Sequence, residues 1–216
     1  MATLYFNAAS GSDWQTLDNW WTDDAFTTQA SALPSSGDDV VMSANCDINS
    51  SSEPTVVNLT VSGSFSFGIA LTVTGMATFN DSSYNGGIVT GDATFNDNSH
   101  NTNYVNGGAT FNDSSYNNYY NPTGQPFGIA TVGSATFNDS SFNIGTVTGD
   151  ATFNDSSYSS GDVNASATFN DSSYNSGYVG FDATFSGTAV NRRGISGAVI
   201  LAYEKGINGS SILGIL

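Results

Sequence analysis

The sequence is poor in cysteine, in proline and in basic residues. Its 216 residues include one cysteine, Cys46, and four prolines. A single cysteine excludes an intrachain disulfide, so packing and hydrogen bonds must supply the stability. No run approaches the ~18 apolar residues of a membrane-spanning helix, so we expect no membrane insertion. The first residues, Met1 to Tyr5, lack a basic segment followed by an apolar one, so we expect no signal peptide.

Positive charge is almost absent. Nineteen acids face three bases, which gives a net charge of −16, and the bases are Arg192, Arg193 and Lys205, near the C-terminus. A surface this acidic repels phosphate groups, so we do not expect nucleic acid as a partner. Cations or a basic partner suit it better.

What the sequence does contain is typical of short strands and turns. Charged residues make up only 10% of the chain, and Asn, Ser, Thr, Gly and aromatic residues dominate the rest. Thr, Val, Tyr and Phe favour strands, whereas Asn, Asp, Gly and Ser favour turns. The composition therefore indicates an all-β protein.

One phrase recurs along the chain. The sequence Ala-Thr-Phe-Asn-Asp-Ser-Ser-Tyr-Asn starts at Ala77, returns with small changes, and ends in a degraded copy at Ala183. The copies are 16 residues apart, except for one interval of 26 between Phe111 and Phe137. A unit of 16 residues is too short to fold alone and buries a core only by stacking on its neighbours. The repeat predicts a single-chain β-solenoid with about 16 residues and two short strands per coil.

The chain divides into three parts. Residues 1–40 contain Trp14, Trp20 and Trp21 and are predicted to form an N-terminal cap. Residues 41–190 are predicted to form the solenoid, with regular repeats over 77–190 and an inserted loop at about 117–127. Residues 191–216 are predicted to be a C-terminal cap or assembly segment that ends in an apolar strand.

Stacking aligns equivalent residues of successive coils into ladders that run along the rod. The predicted core ladders are Phe79, Phe95, Phe111, Phe137, Phe153, Phe169 and Phe185, with Val89, Val105, Val147, Val163 and Val179. A further aromatic ladder consists of Tyr84, His100, Tyr116, Phe142, Tyr158 and Tyr174. The threonine between each alanine and phenylalanine has the opposite strand parity and should face outward.

The units Gly-Asp-Ala-Thr-Phe-Asn-Asp-Ser-Ser-Tyr-Asn-x-Gly-x-Val resemble repeats of phage tail-fibre proteins and of large bacterial surface proteins. The segments around Trp14, Trp20 and Asp38-Asp39-Val40 are similar to the start of many such solenoids. The resemblance covers residues 1 to about 190. It implies a viral appendage or a surface decoration that is often oligomeric, located on the virion or the extracellular surface. A viral protein of this kind is assembled in the host cytoplasm.

The repeat also stacks aspartates: Asp81, Asp97, Asp113, Asp139, Asp155 and Asp171. Like charges at this spacing repel one another. Either each carboxylate accepts backbone N–H bonds in its own corner, or Ca²⁺ ions lie between the coils. We expect no cofactor unless the second alternative holds.

Catalysis is not expected. The glutamates, Glu53 and Glu204, lie far apart, and the aspartates recur in every coil as a structural device would. A polysaccharide-degrading tailspike would instead need one special pair of acids. The inserted loop carries Tyr119 and Tyr120, which contact carbohydrate or belong to a tolerated insertion.

Two further surfaces stay open to interpretation. The outward threonines form a regular face that either binds ice or reflects β-propensity. The apolar end of the chain, with Ile212, Leu213, Ile215 and Leu216, either folds back as a cap strand or is buried in a partner. We expect a non-enzymatic structural or adhesive component of a viral tail fibre or surface appendage, a rigid rod that forms a homo-oligomer or larger assembly through its ends. The alternative is a protein that recognises carbohydrate or ice through its Thr/Asn/Asp face.

Overall fold

A computed structural model describes residues 1–44, 46, 54–63, 71–118 and 130–202. The fold is an all-β solenoid of about nine turns with ~16 residues per coil, which confirms the predicted fold class. At about 4.8 Å per coil, nine turns give a rod roughly 40 Å long. In the described part of the chain the only helix is the 3-10 turn Leu17–Asn19, and no helix is long and apolar enough to cross a membrane.

Each regular coil contributes three strands, not the two that the sequence predicted. The strand Tyr84–Asn85 ends where the Oδ1 atom of Asn85 accepts the Gly87 N–H at 3.1 Å, and the next strand begins at Ile88. The same turn recurs where Asn175 accepts the Gly177 N–H at 3.2 Å. In these coils an asparagine side chain closes a turn onto its own backbone between the second and the third strand.

The strands form three sheets, named A, B and C here. Sheet A contains Thr3–Phe6, Trp20–Trp21, Asp39–Met42, Leu59–Val61, Ala77–Phe79, Ala93–Phe95, Ala109–Phe111, Ala135–Phe137, Ala151–Phe153, Ala167–Phe169, Ala183–Ser186 and Val199–Ala202. Sheet B contains Tyr84–Asn85, His100–Asn101, Tyr116–Asn117, Phe142–Asn143, Tyr158–Ser159, Tyr174–Asn175 and Val190–Asn191. Sheet C contains Thr55–Val56, Thr72–Val73, Ile88–Val89, Tyr104–Val105, Thr131–Val132, Thr146–Val147 and Asp162–Val163.

Equivalent residues of successive coils pair directly. Ala93 pairs with Ala77 and Ala109, and Phe95 pairs with Phe79 and Phe111, all in parallel strands. The side chains of the alanines, phenylalanines and valines point inward and are buried, and each intervening threonine faces outward. The described solenoid therefore has one continuous core along its length.

The insertion hides one member of the valine ladder. Val132 pairs with Val105 and with Val147 and is fully buried, although the sequence analysis did not include it. Val132 follows Val105 by 27 residues, whereas Ala135 follows Ala109 by 26. The net insertion of ten residues thus combines a longer insertion before Val132 with a corner one residue shorter after it, so the fixed period missed this valine.

The N-terminal end of the rod is closed. Thr3–Phe6 pairs in parallel with Asp39–Met42, and its other edge is covered by the antiparallel strand Trp20–Trp21. Phe6, Trp14 and Trp20 are buried in edge-to-face contact, and the Trp20 indole N–H donates to the Trp14 carbonyl at 2.9 Å. The predicted cap therefore includes the first strand of sheet A as well as the tryptophan cluster.

We predict that Phe111→Ala, in the middle of the phenylalanine ladder, lowers the free energy of unfolding by about 3–5 kcal/mol. Phe111 is fully buried between Phe95 and Phe137, so truncation leaves a cavity with stacked rings on both sides. Thr168→Ala on the outer face of the same sheet is the control and should change stability by less than about 0.5 kcal/mol. Urea unfolding followed by circular dichroism measures both, and equal effects would contradict the assignment of inner and outer faces.

Candidate functional site

The inward ladders account for the rigidity of the rod. The phenylalanine rings of neighbouring coils lie 4.7–4.9 Å apart between centroids and are parallel to within 8°. Buried rings in this parallel, offset arrangement contribute both apolar burial and a fixed register.

Two buried polar ladders were missed by the sequence analysis. The first consists of Asn85, Asn101, Asn117, Asn143, Ser159 and Asn175, all in the interior. In it the amide of Asn85 donates to Asn101 at 2.8 Å, Asn101 donates to Asn117 at 3.0 Å, and Asn117 donates to Asn143 at 2.9 Å. The second consists of serines such as Ser99, whose hydroxyl donates to the Phe79 carbonyl one coil earlier at 3.0 Å. Asparagine and serine normally indicate turns, so only the alternation of inward and outward residues could have predicted that these positions are buried.

A second amide ladder runs in the opposite direction on the outer side of the corners. Here Asn96 donates to Asn80, and Asn112 donates to Asn96, each at 2.8 Å. The inner amides donate toward the C-terminus and these amides donate toward the N-terminus. Both sets of side chains are used in joining one coil to the next, which leaves their amide groups poorly placed to bind a ligand.

The aromatic ladder of sheet B lies on the outside, half-buried. Its rings stack at 4.6–5.1 Å between centroids, and the Arg192 guanidinium covers the Tyr174 ring at 4.5 Å. Sugars and bases stack on the faces of aromatic rings, but the inner members of this ladder have both faces covered by neighbouring rings. The ladder therefore acts as a clamp between coils and offers only ring edges to a ligand.

His100 replaces tyrosine in this ladder and stacks between Tyr84 and Tyr116. Burial lowers the pKa of its imidazole to about 4, and the nearby Asn98 backbone opposes this only in part. Its Nδ1 atom is buried without a protein partner. In the part of the chain that the structure describes, no group of three or more His, Cys, Asp or Glu side chains is placed to hold a metal ion.

In the aspartate ladder, hydrogen bonds between successive coils offset the repulsion between like charges. Each aspartate has a positive φ of 56–59°, which opens the corner. The carboxylate of Asp97 accepts the backbone N–H of Asp81 at 3.0 Å, and the carboxylate of Asp113 accepts that of Asp97 at 3.3 Å. One of the two alternatives in the sequence analysis placed these bonds within each corner, but they join a corner to the one before it. Each N–H stabilises the carboxylate that accepts it, so the ladder has a favourable contact between successive coils.

The outer face of sheet A carries a ladder of threonines. Its members are Thr78, Thr94, Thr110, Thr136, Thr152, Thr168 and Thr184, aligned in register. Among the described residues, no hydrogen bond joins their hydroxyls to another protein group. By contrast, the hydroxyls of Thr90 and Thr148 donate to the carbonyls of Val73 and Val132 at 3.0 Å.

An open groove of about 440 Å³ lies along this face. Thr94, Thr110 and Thr136 line one side, and the corner residues that precede the strands line the other, from Asp92 through Gly108 to Asp150. The groove combines free hydroxyls with two carboxylates, and it contains no lysine or arginine. This set of groups hydrogen-bonds polar, uncharged molecules and repels anions.

The C-terminal end of the described rod differs from the N-terminal end. Leu201 stacks over Phe185, and Val199 over Ala183, yet their side chains are 47% and 52% exposed. Ile200 is exposed on the outer side. The described residues thus end in an apolar sheet edge. Tyr119, Tyr120, Ile212, Leu213, Ile215 and Leu216, together with Glu53 and Glu204, lie outside the described residues.

Compared with family models, with curated proteins and with solved structures, the chain matches none. The assignment of a function therefore has to come from the surfaces described above.

We predict opposite effects for two substitutions in the buried amide ladder. Asn117→Ser removes the amide that donates to Asn143, leaves Asn101 only a hydroxyl as acceptor, and should lower the free energy of unfolding by about 1–3 kcal/mol. At Ser159 the ladder lacks an amide, and Asn143 donates to the serine hydroxyl at 3.2 Å. Ser159→Asn restores the amide and should raise the free energy of unfolding by about 1 kcal/mol. Urea unfolding of both variants measures this, and a shift of the same sign in both would contradict an energetically coupled ladder.

We predict that His100 makes the fold acid-sensitive. Its pKa in the folded state, about 4, lies below the ordinary value of 6.5, so the unfolded state binds the proton more readily. Stability is therefore complete above pH 6.5 and falls as the pH drops from 6.5 toward 4. At pH 5 the wild type should have lost about 2 kcal/mol of its free energy of unfolding. His100→Tyr, which introduces the residue usual in this ladder, should not show this loss.

Urea unfolding of the wild type and of His100→Tyr at several pH values between 7.5 and 5 tests this prediction. The aspartates are common to both proteins, so their contribution cancels in the difference between them. Parallel stability profiles for the two proteins would show that the imidazole does not titrate differently on folding.

Proposed function

We propose that the chain is a non-enzymatic structural and adhesive component of a viral tail fibre or a related surface appendage, acting as a rigid rod that assembles through its ends. The observation that carries the proposal is the use of the repeated side chains. Phenylalanine, valine, asparagine, serine, aspartate and the outer aromatics all bind their own equivalents or the backbone in neighbouring coils. A repeat whose side chains are engaged in contacts between coils favours a rigid structural role over a catalytic one.

The acidic residues support a role without catalysis. A glycosidase needs two carboxyl groups in different environments, one of which holds its proton near neutral pH. The repeated aspartates instead occupy equivalent exposed corners, each with the same backbone partner one coil earlier. Identical environments give no distinction between an acid and a base.

The two ends of the rod favour assembly in one direction. The N-terminal end is closed by the antiparallel strand Trp20–Trp21 and the buried tryptophans. The last described strand, Val199–Ala202, is apolar and is the outermost strand of sheet A among the described residues, with the basic residues Arg192 and Arg193 close to it in sequence. Because the net charge of −16 opposes side-by-side contact between rods, end contacts are the better route to an oligomer. The virion or the extracellular surface is the location that this role implies.

A second function is favoured by the free threonine ladder. Recognition of carbohydrate or ice through the outer face of sheet A would use the hydroxyls that the fold leaves without partners. Ice favours a flat face with two parallel threonine columns, whereas this face has one column and a groove beside it. The groove favours carbohydrate, which is also the ligand expected of an adhesive rod.

We predict that the double variant Val199→Lys/Leu201→Lys converts an oligomer into a monomer. The new charges repel one another across an end-to-end contact and cannot be buried in it. Ile88→Lys, at a similarly exposed apolar position in the middle of the rod, should leave the mass unchanged. Light scattering on the purified proteins gives the mass, and a wild-type chain that is monomeric at tens of micromolar would contradict assembly through this end. A chain that stops at Ala202 tests the contribution of the apolar residues 212–216 in the same way.

A further inference from the structure

The groove on sheet A is lined by one glycine that the backbone does not require. At the corner glycines the chain passes close to the coil before it: a Cβ atom on Gly107 would lie 2.4 Å from the Gly91 carbonyl oxygen. A Cβ atom on Gly108 would meet only the Asp92 Oδ1 atom at 3.4 Å and the Ser134 Oγ atom at 3.5 Å, which are ordinary contacts. Gly107 is therefore needed for coil packing, whereas Gly108 is not.

Other coils have larger side chains at the Gly108 position. The equivalent residues, each directly before the alanine of its sheet A strand, are Met76, Asp92, Ser134, Asp150, Ser166 and Asp182. The residue with no side chain thus lies inside the groove, between Asp92 and Ser134, where a side chain would occupy the space. The local departure from the repeat coincides with the open volume.

The groups along the groove are suited to hydroxyl-bearing ligands. The Asp92 Oδ1 atom accepts the Gly108 N–H at 2.8 Å, which holds the carboxylate at the groove edge, and its second oxygen has no protein partner among the described residues. The hydroxyls of Thr94, Thr110 and Thr136 both donate and accept. Carboxylates accept hydrogen bonds from hydroxyl groups and repel anionic ligands.

The length of the groove favours an elongated ligand. The groove extends over four consecutive strands, from Thr94 to Thr152, which at about 4.8 Å per strand corresponds to roughly 15 Å along the rod. Its volume of about 440 Å³ falls within the range of small-ligand sites. A short linear chain fills this space better than a single sugar ring does.

We propose that this groove binds a linear, neutral oligosaccharide along the rod axis, with its hydroxyls on the threonine ladder and on Asp92. The proposal rests on the adhesive part of the function proposed above and gives that part a site and a ligand class. The absence of a side chain at Gly108 leaves space for the ligand. The threonines provide a hydroxyl in each coil, and the carboxylates repel acidic polymers.

Calorimetric titration with cellohexaose and with maltohexaose tests the proposal on the full chain. Gly108→Trp should fill the groove and weaken binding at least tenfold. Ser166→Trp is its matched control, because Ser166 occupies the equivalent position outside the groove and its N–H donates to Asp150 at 3.1 Å, as that of Gly108 does to Asp92. The double variant Thr110→Val/Thr136→Val should weaken binding roughly tenfold by losing two hydrogen bonds. Thr168→Val/Thr184→Val, on the same ladder beyond the groove, should not.

Three results would overturn the proposal: no binding of either hexaose at low-millimolar concentration, undiminished binding by Gly108→Trp, or equal loss in both tryptophan variants. Thermal hysteresis that disappears in Thr110→Val/Thr136→Val, without sugar binding, would replace the oligosaccharide by ice. A chain that forms end-joined rods by light scattering but binds neither sugar would refute this inference and leave the structural role intact.

Discussion

In-register stacking is the constraint on which every other feature depends. Each residue of a regular coil has its own equivalent as a neighbour on both sides, so a residue type is acceptable only if it tolerates a copy of itself at about 4.8 Å. Phenylalanine meets this condition by parallel stacking, and asparagine by donating to the next amide and accepting from the previous one. Aspartate does not meet it unaided, and the backbone N–H that each carboxylate accepts from the coil before compensates for the repulsion. Where a second column of acids lies beside sheet A, it is interrupted: Asp92 is followed by Gly108, and Asp150 by Ser166, each offering an N–H.

This constraint explains which parts of the structure were predictable. A residue that stacks on itself must recur with the period of the coil, so the period, the fold class and the phenylalanine positions were readable from the sequence. The number of strands per coil was not, because it depends on a turn made by the Asn85 side chain within a segment that alternates like one strand. The buried asparagines were missed for a related reason. A lone asparagine in a core is costly, but a stack of them satisfies each amide in turn, and propensities derived from single residues do not contain that effect. Val132 was missed because an insertion and a shortened corner displaced it from the period.

The same constraint separates candidate functional groups from structural ones. A polar side chain that recurs in every coil and bonds to its equivalents is explained by stacking, and this applies to both amide ladders, to the corner aspartates and to the outer aromatic rings. Two features of sheet A are not explained by stacking. The threonine hydroxyls of sheet A recur without bonding to anything in the described protein, and Gly108 departs from the repeat without relieving a clash. Both lie in one groove, although the fold requires neither. The regular repeat therefore provides the reference against which such local departures can be recognised.

Stacking also determines how such a rod must end. Every coil presents the same edge on both sides, so one more coil moves the open edge along the axis without removing it. Closing the rod takes an element of a different kind. At the N-terminus that element is the antiparallel strand Trp20–Trp21, with Phe6 and Trp14 packed against Trp20. At the other end, the last described strand, Val199–Ala202, continues the parallel pairing, and the leucine above Phe185 is about half exposed. The register that holds the coils together is satisfied by any surface that supplies a matching strand, and another copy of the chain supplies one. Within the described residues, the two ends of the stack thus differ: the first strand of sheet A is covered by an antiparallel strand, and the last one continues the parallel register of the coils.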